Sequence, residues 1–232
     1  NDRSSSVCSA GRQVRRIIVK NLSFLNSLSV VQYDRQYAEM WTLRCGRHTY
    51  LLREESSMPK LRKMLGDISS RECISLMELI QTQSCQTLAA WAISYAKEFY
   101  LPIYQSQYHD SHVLSDTIAL CQEYLKGNKT LAQLRPAPKD AAEAAKAATA
   151  SPQAQAAARA VSVACSSVRT PTNSLGFLFY GAAAVSYAQA GLSQSSETYD
   201  RLASAELTKA LASLKAVSVA DEPNPAKINW NC

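Results

Sequence analysis

Alanine-rich sequence without carboxylates fills much of the second half of this chain and limits what the chain can fold into. Between Asp140 and Ala190 alanine recurs in short runs, and no Asp or Glu occurs from Ala144 through Ser196. Alanine has the highest helix propensity, and its small side chain lets helix backbones approach closely. A general acid or base is usually a carboxylate or a histidine, and this half has almost none. The composition therefore favours a helical binding scaffold over an enzyme.

Length and charge set further bounds. The 232 residues are enough for one sizeable core, and only seven glycines argue against a sandwich or barrel rich in tight turns. Residues 1–75 hold 13 Lys or Arg against 7 Asp or Glu, whereas residues 76–232 hold 12 of each sign. A basic first third could contact nucleic acid, an anionic surface or an acidic partner, or it could be an ordinary solvated face.

Capping residues, prolines and apolar stripes predict helices from residue 57 onward. Ser57 and Pro59 predict one helix start, and Ser69-Ser70-Arg71-Glu72 has the spacing of a capping box. From Ser84, apolar residues follow the helical period through Phe99. Asp110 is expected to cap the next helix, which ends at Gly127. Further helices are predicted after the Arg135-Pro136-Ala137-Pro138 connector, with Pro138 in the first turn, after Ser151-Pro152, after the Thr170-Pro171-Thr172 break and around Leu202–Leu214.

The predicted fold class is therefore all-α, either an antiparallel helical bundle or a HEAT-like helical stack. The first 56 residues are harder to interpret. Val14–Val19 and Arg47–Leu52 have strand-like composition, so either a short hairpin or two irregular helices is possible there. Asp34 would cap a helix over Arg35–Arg44. We expect a basic N-terminal segment over 1–56, a helical domain over 57–219 and a C-terminal tail over 220–232.

The uncharged stretch from Thr170 to Ser196 invites comparison with a membrane span. A spanning helix needs about 20 predominantly apolar residues, and this stretch contains Asn173, Ser174 and Gln189 among many alanines. It is better interpreted as a buried central helix, and no membrane partner is predicted.

Seven cysteines and three histidines are the remaining reactive side chains. The cysteines include no C-x-x-C pair and lie mostly among apolar residues, which favours buried free thiols and a cytoplasmic location. His109 and His112 flank Asp110 and could form part of a metal site, but no further ligand lies at motif spacing. We predict no metal, no cofactor and no catalytic residue.

Three stretches resemble the helical immunity proteins of bacterial polymorphic toxin systems, specifically the immunity-protein-five-like group. They are the Leu88-Ala89-Ala90-Trp91-Ala92 helix with Tyr95-Ala96, the acidic loop around Asp110 before a short helix ending at Gly127, and the run Ala156-Ala157-Ala158-Arg159-Ala160. Ser167–Thr170 leading into Ala182–Ala184 extends the similarity, which covers residues 84–192. Members often carry D-x-R-P at the acidic loop, where this chain has Asp110-Ser111-His112-Val113.

The resemblance implies a protein that binds a cognate toxin stoichiometrically and blocks its action, without turnover. Polar side chains on the interhelical loops are the expected contact surface: Asp110, His112, Arg135, Arg169 and Asn173.

An alternative function is nucleic-acid binding by the basic N-terminal third. Lysines and arginines in that third would contact phosphates, which makes binding steeply dependent on salt. The residues concerned are Arg12, Arg15, Arg16, Lys20, Lys60, Arg62 and Lys63.

Overall fold

The computed structural model describes residues 30–33, 40–45, 48–53 and 61–230. Its internal contacts divide the chain into two units, Asn1–Pro59 and Lys60–Cys232.

The first unit contains a three-stranded antiparallel sheet in the order β1-β2-β3. Its strands are β1 (Val30–Tyr33), β2 (Met40–Cys45) and β3 (His48–Arg53). β3 overlaps the strand-like stretch 47–52, whereas Val14–Val19 lies outside the described residues. The helix expected over 35–44 is wrong for residues 40–44, because they belong to β2, which pairs with β1 on one side and β3 on the other. Residues 35–39 lie outside the described residues. Trp41 and Thr42 suit a strand, and pairing on both edges overrides a weak helical spacing.

The second unit is helical along most of its length, which confirms the all-α class. In chain order its helices are α1 (Arg71–Gln81), α2 (Cys85–Tyr95), a π-helical turn (Ala96–Tyr100), α3 (Leu101–Gln105), α4 (Val113–Leu125), α5 (Leu131–Leu134), α6 (Ala137–Ala147), α7 (Pro152–Ser166), α8 (Asn173–Ala190) and α9 (Ser196–Val217).

Serine caps begin several of these helices. The hydroxyl oxygens of Ser70, Ser84, Ser151 and Ser195 each accept a hydrogen bond from the backbone N–H three residues later. Such a bond satisfies one of the otherwise unpaired amides of a first helical turn. The starts predicted at Ser84 and at Ser151-Pro152 are confirmed. The capping box predicted for α1 is wrong, because the cap is Ser70 and the residue three positions later is Cys73. Thr130 and Gln133 form a reciprocal capping box that begins α5, a helix that was not predicted from the sequence.

Two predicted features near residues 57–70 and 110 need correction. Residues 61–70 form no helix. The N–H of Leu65 instead donates to the carbonyl of Phe179 at 3.0 Å, and Gly66 has a φ of +115°. These two features hold the chain against α8 and out of helical geometry. Asp110 does not cap α4 either, because the cap position is His112, whose side chain makes no capping bond.

Helix α7 lies at the centre of the unit, in contact with α6, α8, α2, α3 and α4. Six of its nine buried positions are alanine: Ala154, Ala156, Ala157, Ala158, Ala160 and Ala164. Small side chains allow neighbouring helices to approach closely on several sides. The alanine-rich sequence thus builds the core rather than an exposed helix, and α8 is the buried helix expected after the Thr170–Thr172 break.

A polar cluster lies inside this apolar core. Tyr95 and Tyr100 donate hydrogen bonds to the same Glu206 oxygen, Oε1, at 3.0 and 2.9 Å. The two tyrosines are five residues apart, and the π-helical turn that ends at Tyr100 lets both reach one acceptor. Burial, followed by the nearby Glu206 charge, raises the pKa of both phenols.

The segment after α9 packs back against the start of α2, within the second unit, although the sequence suggested a separate tail over 220–232. The side-chain amide of Gln83 bonds both the N–H and the carbonyl of Val219, at 2.8 and 3.1 Å. The carboxylate of Glu222 accepts from the N–H of Ser84 at 2.7 Å and from the hydroxyl of Thr87 at 2.6 Å. Ala226 then donates its N–H to the carbonyl of Gln83. This segment therefore supplies a second cap for α2 from a distant part of the chain.

Among the described residues, no helix has both the length and the apolar character that a membrane crossing requires.

Candidate functional site

Three interhelical loops meet at one end of the helical unit. The hydroxyl of Thr117 in α4 donates to the carbonyl of Ala137 at 3.2 Å, and the hydroxyl of Ser162 in α7 donates to the carbonyl of Pro138 at 3.0 Å. The first residues of α6 therefore lie between the N-terminal half of α4 and the C-terminal half of α7. We call the segments 106–112, 135–136 and 167–173 the loop end.

The five predicted partner-binding residues all belong to this loop end. His112 precedes Thr117 by five residues, Arg135 precedes Ala137 by two, and Arg169 follows Ser162 by seven. At about 1.5 Å per helical residue, these separations place the backbones of His112, Arg135 and Arg169 within roughly 10 Å of the two hydroxyl contacts. The structure therefore brings these three residues to one end, although His112 and Arg169 are 57 positions apart in the sequence. Their role in binding stays a prediction.

The predicted residues are polar and open to a partner. The side chains of Asp110, His112, Arg135 and Arg169 are exposed, and Asn173 is half-buried. None of the five makes a side-chain hydrogen bond or ion pair within the described part of the chain. Unpaired charged and amide groups can form new bonds to a partner without first breaking internal ones.

Stacked tyrosines shape the first of these loops. The rings of Tyr104 and Tyr108 stack with centroids 5.0 Å apart and an interplanar angle of 15°, and the Tyr104 hydroxyl donates to Ser111 Oγ at 3.1 Å. Tyr104 is buried while Tyr108 is half-buried. These contacts anchor the loop on both sides of Asp110, so its side chain projects from a supported backbone.

Thr117 and Ser162, which tie the loop end together, were not predicted from the sequence. Both are hydroxyl side chains inside helices, and each bonds a carbonyl at the start of another helix 20 or more residues away. No local pattern signals such a contact, because the acceptor is determined by how α4, α6 and α7 pack.

The basic residues of the alternative function are mostly outside the described part of the chain: Arg12, Arg15, Arg16, Lys20 and Lys60. Of the remaining two, Lys63 is exposed. Arg62 instead forms an ion pair with Asp200 at 2.5 Å, and its backbone carbonyl accepts from the Tyr187 hydroxyl at 2.6 Å. Arg62 is therefore already engaged with a carboxylate of α9.

The histidines of the loop end and the two cysteines beside it were the reactive side chains of interest in the sequence. His109 and His112 are both exposed, and within residues 61–230 no three His, Cys, Asp or Glu side chains are grouped so as to hold a metal ion. Cys121 and Cys165 are buried where α4 meets α7. The Cys121 thiol and burial together raise the pKa of Cys165, whereas the hydrogen bond with Cys165 lowers the pKa of Cys121 despite its burial.

A sequence model of the family described as "Imm-5 like putative immunity protein" matches residues 78–212. The match covers more than half of the chain and includes the loop end, and the chain belongs to this family. Comparison of the chain with the curated proteins and with the solved structures found no match. Membership supports an immunity role in general, and it suggests a non-enzymatic one.

Proposed function

We propose that this protein neutralises a cognate bacterial toxin by stoichiometric binding through the loop end. The observation that carries the proposal is the gathering of five polar side chains, unpaired within the described residues, at one end of an immunity-family helical unit. The binding partner is a protein, and inhibition needs no chemical step by this chain.

The physical properties of the loop end suit binding more than catalysis. Arginine forms directed, paired hydrogen bonds to carboxylates, and it is enriched among residues that dominate interface energies. The loop end offers Arg135 and Arg169 together with an acceptor, Asp110. A partner surface with complementary charges would form several charge-assisted bonds there. We expect the complex to form in the cytoplasm, where the toxin would otherwise act on the producing cell.

The test uses the toxin encoded beside this gene. Deleting the gene from a strain with an active toxin should be lethal, and supplying this chain in trans should restore growth. Titration calorimetry with a catalytically inactive toxin should give one-to-one binding. Survival of the deletion strain while the toxin is active would refute the proposal.

Matched triple variants locate the surface. Asp110→Ala/Arg135→Ala/Arg169→Ala should weaken binding at least tenfold, which corresponds to about 1.4 kcal/mol. Glu78→Ala/Lys97→Ala/Arg201→Ala removes the same charges from exposed positions on other elements and should leave affinity within about twofold. Equal effects of the two triples would show that the loop end is not the contact surface.

A further inference from the structure

The hairpin of α7 and α8 has a definite register. A Cβ added to Gly176 would lie 3.7 Å from Val163 Cγ1, so these two residues face each other across the antiparallel pair. One helical turn in each direction then brings Arg159 opposite Tyr180 and Ser166 opposite Asn173. Asn173 also belongs to the loop end, so the hairpin surface continues from it.

One stripe of α7 reaches the molecular surface. Between residues 155 and 166 the half-buried positions are Gln155, Arg159, Val163 and Ser166, and every other position is buried. On α8 the facing residues Asn173, Gly176 and Tyr180 are half-buried as well. We call these seven residues the hairpin face.

Arg159 and Tyr180 are the two large side chains of the hairpin face. Neither the guanidinium nor the phenol hydroxyl makes a hydrogen bond or ion pair with the described residues, although both side chains are partly withdrawn from water. A half-buried arginine commonly packs its aliphatic stem on the protein and leaves its guanidinium at the surface, where a partner can reach it. Arginine and tyrosine, like tryptophan, are enriched among the residues that dominate interface energies.

The charge of this region has one sign. From Ala144 through Ser196 the chain carries Lys146, Arg159 and Arg169 and no Asp or Glu. Lys146 is paired with Glu143 at 2.8 Å, which leaves the two arginines without a counter-charge from either helix. Gly176 has no side chain, so the backbone of a partner could approach α8 closely at this position. A surface of this kind is complementary to a carboxylate-bearing segment of another protein.

We propose that the hairpin face extends the loop-end site and binds an acidic segment of the same toxin. In this arrangement Arg159 bonds a toxin carboxylate, and Tyr180 packs its ring beside the same segment. The proposal rests on the proposed function, because it concerns the same partner. It predicts that the toxin meets this protein with an acidic surface.

The experiment measures the affinity of full-length variants for the inactive toxin encoded by the neighbouring gene. We expect Arg159→Glu to weaken binding at least tenfold, Tyr180→Ala to weaken it severalfold, and Arg159→Lys to retain part of the affinity because it keeps the charge but loses the bidentate geometry. Arg201→Glu, an exposed arginine on α9, is the matched control and should change little. Circular dichroism and urea unfolding verify that each variant is folded.

Two further measurements separate the outcomes. Raising the salt concentration should weaken the wild-type complex more steeply than the Arg159→Gln complex, and a Glu→Lys or Asp→Lys substitution on the toxin should restore binding to Arg159→Glu. If the loop-end triple variant loses affinity while the Arg159 and Tyr180 variants keep it, the hairpin-face proposal is overturned and the proposed function survives. If the wild-type chain does not bind the toxin, both are overturned.

Discussion

At position 181 the Tyr100 ring, packed against the helix backbone, leaves space only for glycine. A Cβ at this position of α8 would fall inside the Tyr100 ring, whereas a Cβ at Gly176, five residues earlier on the same helix, would make an ordinary contact with Val163. Tyr100 is fully buried and bonded to Glu206, so its ring has no room to move. The absence of a side chain at Gly181 is therefore a packing requirement.

We expect Gly181→Ala to lower the free energy of unfolding by about 1–3 kcal/mol, the usual range for overpacking a core. Gly176→Ala is the matched control in the same helix. It should leave stability unchanged or raise it by up to about 1 kcal/mol, because alanine has the higher helix propensity. Urea unfolding monitored by circular dichroism measures both. Equal effects would mean that the Tyr100 ring can shift at no cost.

The Tyr95–Glu206–Tyr100 cluster should lower the free energy of unfolding at alkaline pH. Burial and the Glu206 charge raise the pKa of both phenols, so both stay protonated in the folded chain after they have ionised in the unfolded chain. A group with a raised folded pKa contributes stability below its unfolded pKa of about 10 and loses that contribution as pH rises further. The cluster should therefore destabilise the fold above pH 10.

Each phenol should steepen the fall in stability by about 1.4 kcal/mol per pH unit above pH 10. Tyr95→Phe/Tyr100→Phe should make that fall shallower by up to about 2.7 kcal/mol per unit, whatever the variant's stability at neutral pH. Urea unfolding between pH 9 and 11 gives the slope. Tyr124→Phe, whose hydroxyl makes no hydrogen bond with the described residues, is the control and should not remove a comparable slope. A double variant with the wild-type slope would contradict the assignment.

At the scale of elements, the N-terminus of α2 receives caps from two places. Ser84 provides the local cap, and Glu222 arrives from more than 130 residues away to bond the Ser84 N–H and the Thr87 hydroxyl. A carboxylate at this position also interacts favourably with the positive end of the helix dipole. Burial raises the pKa of Glu222, but the hydrogen bonds from Thr87 and Ser84 outweigh it and lower that pKa below its ordinary value.

Glu222→Gln should therefore lower the free energy of unfolding by about 1 kcal/mol at neutral pH, the typical size of a capping interaction. A lowered folded pKa means that the contribution is present above the unfolded pKa and disappears as pH falls through the folded pKa. The difference between wild type and variant should thus be largest at pH 6–7 and should shrink toward pH 3. Glu78→Gln, an exposed substitution within α1, should show no comparable pH-dependent difference. A constant difference across this range would count against the charged cap.

The sequence predicted helix starts well where the capping residue is a neighbour in the chain. It predicted local structure poorly where contacts with distant residues determine the backbone conformation. Ser84 and the Ser151-Pro152 pair predicted the starts of α2 and α7, because these caps use only neighbouring residues. The helix predicted through residues 40–44 is wrong because β2 is stabilised by strands on both of its edges. The helix predicted through 61–70 is wrong because the N–H of Leu65 bonds the carbonyl of Phe179 in α8. The polar loop residues were identifiable as a set. Their meeting at one end depends on the Thr117 and Ser162 contacts, and the hairpin face depends on a helix register that one sequence does not encode locally.

At the scale of the whole molecule, the helical unit has its own core. Helix α7 contacts helices on several sides, α8 is buried along most of its length, and the segment after α9 packs back against Gln83 and Ser84. The partner-binding residues that we propose all lie within this unit. Folding and toxin binding should therefore both reside in Lys60–Cys232.

We expect a fragment comprising residues 60–232 to fold by itself and to bind the inactive toxin within about threefold of the full-length affinity. Its far-UV circular dichroism should show a helical spectrum, and its urea transition should be cooperative, as is usual for a unit with a single core. A matched shorter fragment ends at Ser218 and lacks the segment that bonds Gln83 and caps α2. It should unfold at a lower urea concentration, because Gln83, Ser84 and Thr87 then lose these partners. A fragment 60–232 that folds cooperatively but does not bind the toxin would instead place the binding surface in residues 1–59, where the basic residues of the alternative function are concentrated.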